Sequence, residues 1–358
     1  MKRILLGIVL LALIGGGAAF YVMRDRIAVN LFTSAADHAF GIDTIAAVPD
    51  GLTAAFCGTG SPLPDRTRAA PCFAVIAGQR LFVFDVGDGA TETLSLMGLS
   101  PGRIEAVFLT HMHSDHIDGL GGLAVQRWAI SGAHQPLPLY GGAGVARVAA
   151  GFNQAYAVDA QHRTDHHGAA VVPPSGAGFA AHEFTMLEGH DRVVVLDDGG
   201  VRITAFKVNH GPVHEAVGYR IDYKGRSIVV SGDTSADPVV EREAQNVDLL
   251  VHEALSPELV GIMEATARRH HQDGVMHIMH DIPNYHTSPQ DAADIAQRAH
   301  VGALAFTHLI PPLPVSIMEG PFLGDARKHY TGPLYVMGDG DIIVLPAAGG
   351  MERRNVLR

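Results

Sequence analysis

From residue 51 onward the chain alternates short apolar runs with polar breaks. The runs at residues 52–57, 72–76, 81–84 and 106–109 have the length and composition of buried strands. Gly58-Thr59-Gly60-Ser61-Pro62 supplies a turn after the first of them, where glycine tolerates positive φ. Residues 90–97 read as a helix. A strand, a polar loop and another helix follow through about residue 131, and residues 144–158 carry a further helical pattern. Residues 159–178 contain His162, His166, His167 and Pro173-Pro174-Ser175-Gly176, and are expected to form an exposed loop with solvent-facing histidines. Residues 201–208 alternate apolar and polar positions like a half-buried strand. Two more strands, 217–223 and 227–231, are joined by a tight turn at Lys224-Gly225-Arg226. Helices and strands alternate from there to Pro346. The pattern predicts one α/β domain over residues 51–347, with 348–358 as a polar, frayed tail.

The N-terminus has a different pattern. Residues 4–23 are apolar, flanked by Lys2-Arg3 and Arg24-Asp25-Arg26. At roughly 1.5 Å per residue such a helix spans a bilayer core. Residues 1–26 are therefore expected to be either an uncleaved transmembrane anchor or a cleaved signal peptide, with 27–50 as a partly helical linker. The anchor is favoured, because no clean small-residue cleavage site precedes a polar start. Both readings place the catalytic part outside the cytoplasm, either held at the inner (cytoplasmic) membrane with Lys2 and Arg3 inside or secreted to the periplasm.

Composition sharpens the partner question. The 358 residues are 47% hydrophobic, ample for a sizeable core, and carry a formal net charge of −11. That charge argues against nucleic acid as the main partner, since phosphate backbones are met by Lys and Arg. It still admits a small anionic ester bound at a metal. Cys57 and Cys72 flank the first predicted hairpin, and both a disulfide and a pair of buried thiols stay open. Nothing in the sequence decides the oligomeric state; a homodimer is left open.

The candidate chemistry centres on Thr110-His111-Met112-His113-Ser114-Asp115-His116, between an apolar strand and a helical pattern. Imidazole and carboxylate crowded on a short loop suit a divalent metal, zinc first, with manganese or iron as alternatives. Further titratable residues end apolar runs: His210 after residues 204–208, Asp233 after 228–232, and His308 after 303–307. Core packing explains such residues poorly. His111, His113 and His210 are assigned to one metal; Asp115, His116 and His308 go to a second; Asp233 bridges both. Two such metals about 3.5–4 Å apart can share a hydroxide that attacks phosphorus, sulfur or a carbonyl. Asp85, at another strand end, is expected to bond the neighbouring loop backbone. His286 precedes a helix that Ser288 caps and Pro289 opens, so it can reach the reacting group as a transition-state stabiliser or general acid. Glu253, in His252-Glu253-Ala254, can orient it. His270, His271, His277 and His280 are expected to be solvated or to rim the pocket.

The H-x-H-x-D-H cluster resembles the metallo-β-lactamase fold superfamily. The full order is Gly58-Thr59-Gly60, the cluster, His210, Val217-Gly218-Tyr219-Arg220, Ser231-Gly232-Asp233-Thr234, His252-Glu253-Ala254, His286-Thr287-Ser288 and Thr307-His308. It resembles the ribonuclease Z branch, which includes zinc phosphodiesterases and arylsulfatase-like enzymes. The resemblance implies an αββα sandwich, two bound metals, and a catalytic role for His286, Asp115 and Glu253. Ribonuclease Z carries a long tRNA-binding arm where this chain has only the turn at Lys224-Gly225-Arg226, and its usual H-S-T is H-T-S here. The expected function is therefore an exported binuclear hydrolase of a phosphodiester or aryl sulfate ester. Three alternatives stand beside it: a lactone or carboxyl-ester hydrolase, a ribonuclease Z-type endonuclease, and a non-catalytic metal-binding protein.

Overall fold

The computed structural model describes residues 2–357. Met1 and Arg358, which end the expected anchor and tail, lie outside the described residues, as do the side chains of Lys2, Arg3, Val9, Leu10, Leu11, Ala12, Ile14, Ala18 and Ala19. The chain divides into two units, Met1–Asp43 and Thr44–Arg358.

The first unit is built on a single helix, Lys2–Gly41. It corrects the expectation of a membrane-anchored or exported protein: among the described residues, no helix is long and apolar enough to cross a membrane. The helix also runs on without a break through Arg24-Asp25-Arg26, so much of the expected linker is helical.

The second unit holds fifteen strands among the described residues: β1 (Gly51–Gly58), β2 (Cys72–Ala77), β3 (Arg80–Phe84), β4 (Ile104–Phe108), β5 (Leu137–Gly141), β6 (Phe179–Glu183), β7 (Arg192–Asp198), β8 (Val201–Lys207), β9 (Val217–Tyr223), β10 (Arg226–Val230), β11 (Leu249–Leu255), β12 (Leu304–Ile310), β13 (Leu334–Val336), β14 (Asp341–Pro346) and β15 (Glu352–Asn355). They form two sheets, ordered β15-β14-β1-β2-β3-β4-β5-β6 and β13-β12-β11-β10-β9-β8-β7.

Strand alternation explains the layers. In β4, Ala106 and Phe108 face the other sheet, while Val107 and the following Leu109 face outward. The layer between the sheets joins Phe56, Phe73, Phe82, Phe84 and Phe108 to Ile203, Tyr219, Ile221, Val251 and Ala305. Fully burying each such large side chain is worth roughly 1.5–3 kcal/mol. Tyr219 is pivotal: its ring lies 5.3 Å from Phe84 and 5.7 Å from Phe108, and its hydroxyl donates to the Leu109 carbonyl at 2.7 Å. This bond anchors the chain just before the histidine cluster to the opposite sheet. On the outer faces, Leu94, Leu120, Leu123 and Val145 cover the first sheet, and Val240, Ala292, Ile295 and Ala296 cover the second.

Several elements differ from the sequence reading. The helix expected to stop at residue 158 is Val145–His167, because nothing breaks it before Gly168; His162, His166 and His167 are exposed on it. The sequence reading lacks two edge strands: β6, which is exposed and polar towards its end, and β7, whose Val193-Val194-Val195-Leu196 run does carry a strand signal. The expected frayed tail contains β15, which pairs with β14 and is held by Arg353 and Asn355 bonding the Asp341 carboxylate. Between β9 and β10, Lys224 and Gly225 make a two-residue turn with φ 48° and 78°, as tight as expected.

Cys57 and Cys72 are joined as a disulfide, both buried, across the β1–β2 pair. It closes a loop with a sequence separation of 15. Replacing both cysteines with alanine should therefore lower unfolding free energy by about 3 kcal/mol, read from urea melts. An unchanged urea midpoint would show that the β1–β2 pair needs no covalent closure.

Candidate metal centre

The site lies where several apolar strands end. β4 delivers Leu109-Thr110-His111, and the short helix Ser114–Ile117 carries Asp115 and His116. Asp85, just past β3, lies at φ 57°, in the left-handed region. There its carboxylate accepts from the Thr110 amide (2.8 Å), the Thr110 hydroxyl (2.7 Å) and His116 Nδ1 (2.8 Å). Asp85 thus bonds the neighbouring loop backbone and fixes one ring, which leaves His116 Nε2 directed at the cluster. Such outer carboxylates orient ligand histidines and raise their basicity.

The other members arrive from the second sheet. His210 follows β8, and its Nδ1 bonds the Tyr285 carbonyl at 3.0 Å. Asp233 follows β10 after Gly232, which has φ 62°. A Cβ on Gly232 would stand 2.6 Å from the Val217 carbonyl oxygen, so glycine is required there. His308 sits within β12 as an extra residue: Glu253 pairs with Thr307 and Ala254 with Leu309, and His308 has φ 46°. The bulge turns its ring into the site at the cost of a strained backbone.

The structure brings together every residue assigned from sequence. Single ligand atoms of His111, His113 and His210 lie within 4.8 Å of one another, as do those of Asp115, His116 and His308. Asp233 lies between the two groups, with Oδ2 3.9 Å from His111 Nε2, 3.4 Å from His116 Nε2 and 3.3 Å from His308 Nε2. The residues fit a metal by their unmet bonding. Among the described residues, Asp115 Oδ2, His116 Nε2 and both ring nitrogens of His308 are buried without a hydrogen-bond partner. Leaving such groups unpaired is costly, and bound cations would satisfy Asp115 Oδ2, His116 Nε2 and one ring nitrogen of His308. The cleft at this point has about 30 Å³, room for an ion or a water but not for a whole substrate.

Electrostatics follow from burial and crowding. Burial pushes His111 well below the ordinary histidine value, and neighbouring His116 adds to this. Burial also opposes charge on His116, yet Asp233, Asp85 and Asp115 together hold it well above its ordinary value. Burial would raise Asp233, but His308 and His116 hold its carboxyl well below the usual range.

His286 and Glu253 stand beside the cluster. Glu253 Oε1 accepts from His286 Nδ1 (3.1 Å), the Thr287 amide (3.0 Å) and the Thr234 amide (3.2 Å). One buried carboxylate therefore ties the loop after Asp233 to the loop before helix Pro289–Arg298. The His286 ring lies 5.2 Å from His210 and 5.7 Å from His308, parallel to the latter within 20°. Although burial disfavours its charge, Glu253 and Asp233 raise His286 to about 9. His252 points away from this group; its Nδ1 bonds the Glu253 carbonyl. Among the described residues, His270, His271, His277 and His280 enter no metal-like group and are exposed. Sequence reasoning missed Thr110 and the Tyr285 carbonyl as partners that orient the site.

If Asp85 sets the His116 ring, Asp85→Asn should weaken zinc binding about 10- to 100-fold in chelator competition. Equal affinity in the variant would reduce Asp85 to a loop tie alone.

The Metallo-beta-lactamase superfamily model matches residues 66–308. A ribonuclease Z from Mycobacterium bovis (strain BCG / Pasteur 1173P2) is 34% identical over 284 residues, covering 79% of this chain and 94% of the relative. A ribonuclease Z from Mycobacterium marinum is similar to the same extent, 34% over 284 residues, with coverage of 79% and 94%. Human tRNase Z, short form, superposes with a TM-score of 0.59 at 22% identity, over 82% of this chain and 99% of that one. The metallo-beta-lactamase fold protein YhfI from Bacillus subtilis gives 0.56 at 21%, over 82% and 99%. At these identities the solved structures establish the fold alone. The two-sheet architecture, the family match and the mycobacterial relatives agree: the chain belongs to the metallo-beta-lactamase superfamily of metal-dependent hydrolases, with ribonucleases Z among its homologues.

Proposed function

We propose that this chain is a phosphodiesterase of the ribonuclease Z kind, cutting RNA at a two-metal centre. The observation that carries the proposal is the His286–Glu253 pair held against the ligand cluster. The names of the mycobacterial relatives supply the substrate class. This reading displaces the charge-based expectation that nucleic acid is not the partner.

In this reading His111, His113 and His210 hold one divalent ion, zinc first. Asp115, His116 and His308 hold a second, and Asp233 serves both. Bound there, the ions would supply Lewis-acid polarisation of the ester and lower the pKa of the attacking water. His286 acts as the acid. The water oxygen bonds phosphorus and gives up a proton to solvent, the bond from phosphorus to the leaving oxygen breaks, and His286 passes that oxygen a proton that solvent then returns to the ring. Glu253 holds the ring by Nδ1, which leaves the other nitrogen for the transfer.

The two-residue β9–β10 turn and the net charge of −11 favour a second reading, a small anionic ester such as a phosphodiester or aryl sulfate. Both are tested with the zinc-loaded chain, a transfer RNA precursor, a chromogenic aryl phosphodiester and the matching aryl sulfate, with Asp233→Ala as control. RNA cleavage that vanishes in Asp233→Ala supports the proposal; control-sensitive turnover of only the small esters replaces it with the second reading. His286→Ala should lower kcat about 10²- to 10⁴-fold with zinc content unchanged. Loss of zinc in that variant would make His286 a ligand instead of the acid.

A further inference from the structure

Beside the centre lies a groove of about 630 Å³, lined chiefly by Pro64, Leu259, Ile262, Met263, Pro312 and Met318. Its walls are continuous with the site. The segment from Pro311 follows His308 on β12, and helix Pro257–Arg269 follows Glu253 on β11. The loop carrying Pro64 leaves β1 at Gly58. Two backbone bonds lock these walls together: Leu309 to the Thr59 carbonyl at 3.1 Å and Ser256 to the Ile310 carbonyl at 2.8 Å. Gly58, Glu253, Thr307 and His308 line the cleft at the cluster, and the groove is lined by the segments that follow them in the chain, so both lie toward the carboxyl ends of β11 and β12 without sharing a lining residue.

The lining chemistry is selective. Among the described residues no aromatic ring lines the groove, so they offer nothing for a nucleobase to stack on. Its walls are aliphatic and proline-rich, and proline keeps one side rigid. Arg66, exposed at the lip, has no hydrogen bond or ion pair among the described residues and is available to an anion.

We propose that this groove takes a bulky aliphatic ester group of a small phosphodiester, with Arg66 facing the anionic phosphate. This gives the centre a further substrate class beside RNA, and it rests on the phosphodiesterase reading above. The reaction is the same hydrolysis: the water oxygen bonds phosphorus, the bond to the leaving alcohol breaks, and the alcohol oxygen takes a proton. A phosphate monoester that keeps the aliphatic group is released.

The test compares methyl and octyl 4-nitrophenyl phosphate diesters, below micelle-forming concentration, on the full zinc-loaded chain. The octyl diester should have a kcat/KM about tenfold higher or more, from the added apolar burial. Ile262 is 56% exposed, so Ile262→Asp leaves the fold intact. In that variant the octyl-to-methyl ratio should fall close to one while the methyl diester is unaffected. A wild-type ratio near one, or a ratio that survives Ile262→Asp, overturns the proposal. If neither diester is hydrolysed, the transfer RNA precursor assay decides the phosphodiesterase reading, and calorimetry with octylphosphonate and methylphosphonate judges the groove alone. Tighter octyl binding that Ile262→Asp abolishes upholds it; equal affinities overturn it.

Discussion

The structure depends on one costly gathering: a buried carboxylate, Asp233, set 3.3–3.9 Å from the nitrogens of three histidines that reach it from separate elements. No apolar core would tolerate so many unmet polar atoms, because each buried group without a partner costs what water would have supplied. The site exists because the sheets behind it are rigid and dry. Phe84, Phe108 and Tyr219 pack between them, and the Tyr219 hydroxyl ties the strand before the cluster to the facing sheet. Packing energy gained in the middle of the domain holds the polar residues at its edge in register.

The aim of each side chain is then set by backbone conformations that ordinary strands avoid. Asp85 and His308 both sit at positive φ, and Gly232 takes the same region ahead of Asp233. A straight continuation of β12 would turn His308 to the other face; the bulge opposite Glu253 and Ala254 redirects it. Beyond the ligand residues, Asp85 fixes His116, the Tyr285 carbonyl fixes His210, and Glu253 fixes His286. Each of these partners uses one ring nitrogen and leaves the other for the site.

Much of this was legible in the sequence for a simple physical reason. His210, Asp233 and His308 each end an apolar run, where a titratable residue gains nothing from packing. His111, His113, Asp115 and His116 crowd a loop too short to separate them. The partners that orient them were harder to read. Asp85 was expected to bond the neighbouring loop backbone, but its hold on the His116 ring was not read, and the bond from His210 to Tyr285 links a side chain to a carbonyl, which leaves no residue-type signal. Strand β6 was missed because its exposed edge positions need no apolar alternation, whereas the Val193-Val194-Val195-Leu196 run of β7 was legible and was passed over. The N-terminal apolar run misled, because composition alone reads as an anchor whatever helix it belongs to.

The sequence by itself determined the alternating α/β pattern, the metal-type chemistry of the strand-end residues and the tight β9–β10 turn. These depend on local periodicity and residue type, which one chain segment carries alone. Only the tertiary structure decided that Cys57 meets Cys72, that Asp85 fixes the His116 ring, and that Glu253 joins two loops. It also decided that proline and aliphatic side chains from three segments share one groove beside the centre. These are contacts between residues far apart in sequence. Their existence depends on how two sheets stack and which strand bulges, and no local pattern encodes either.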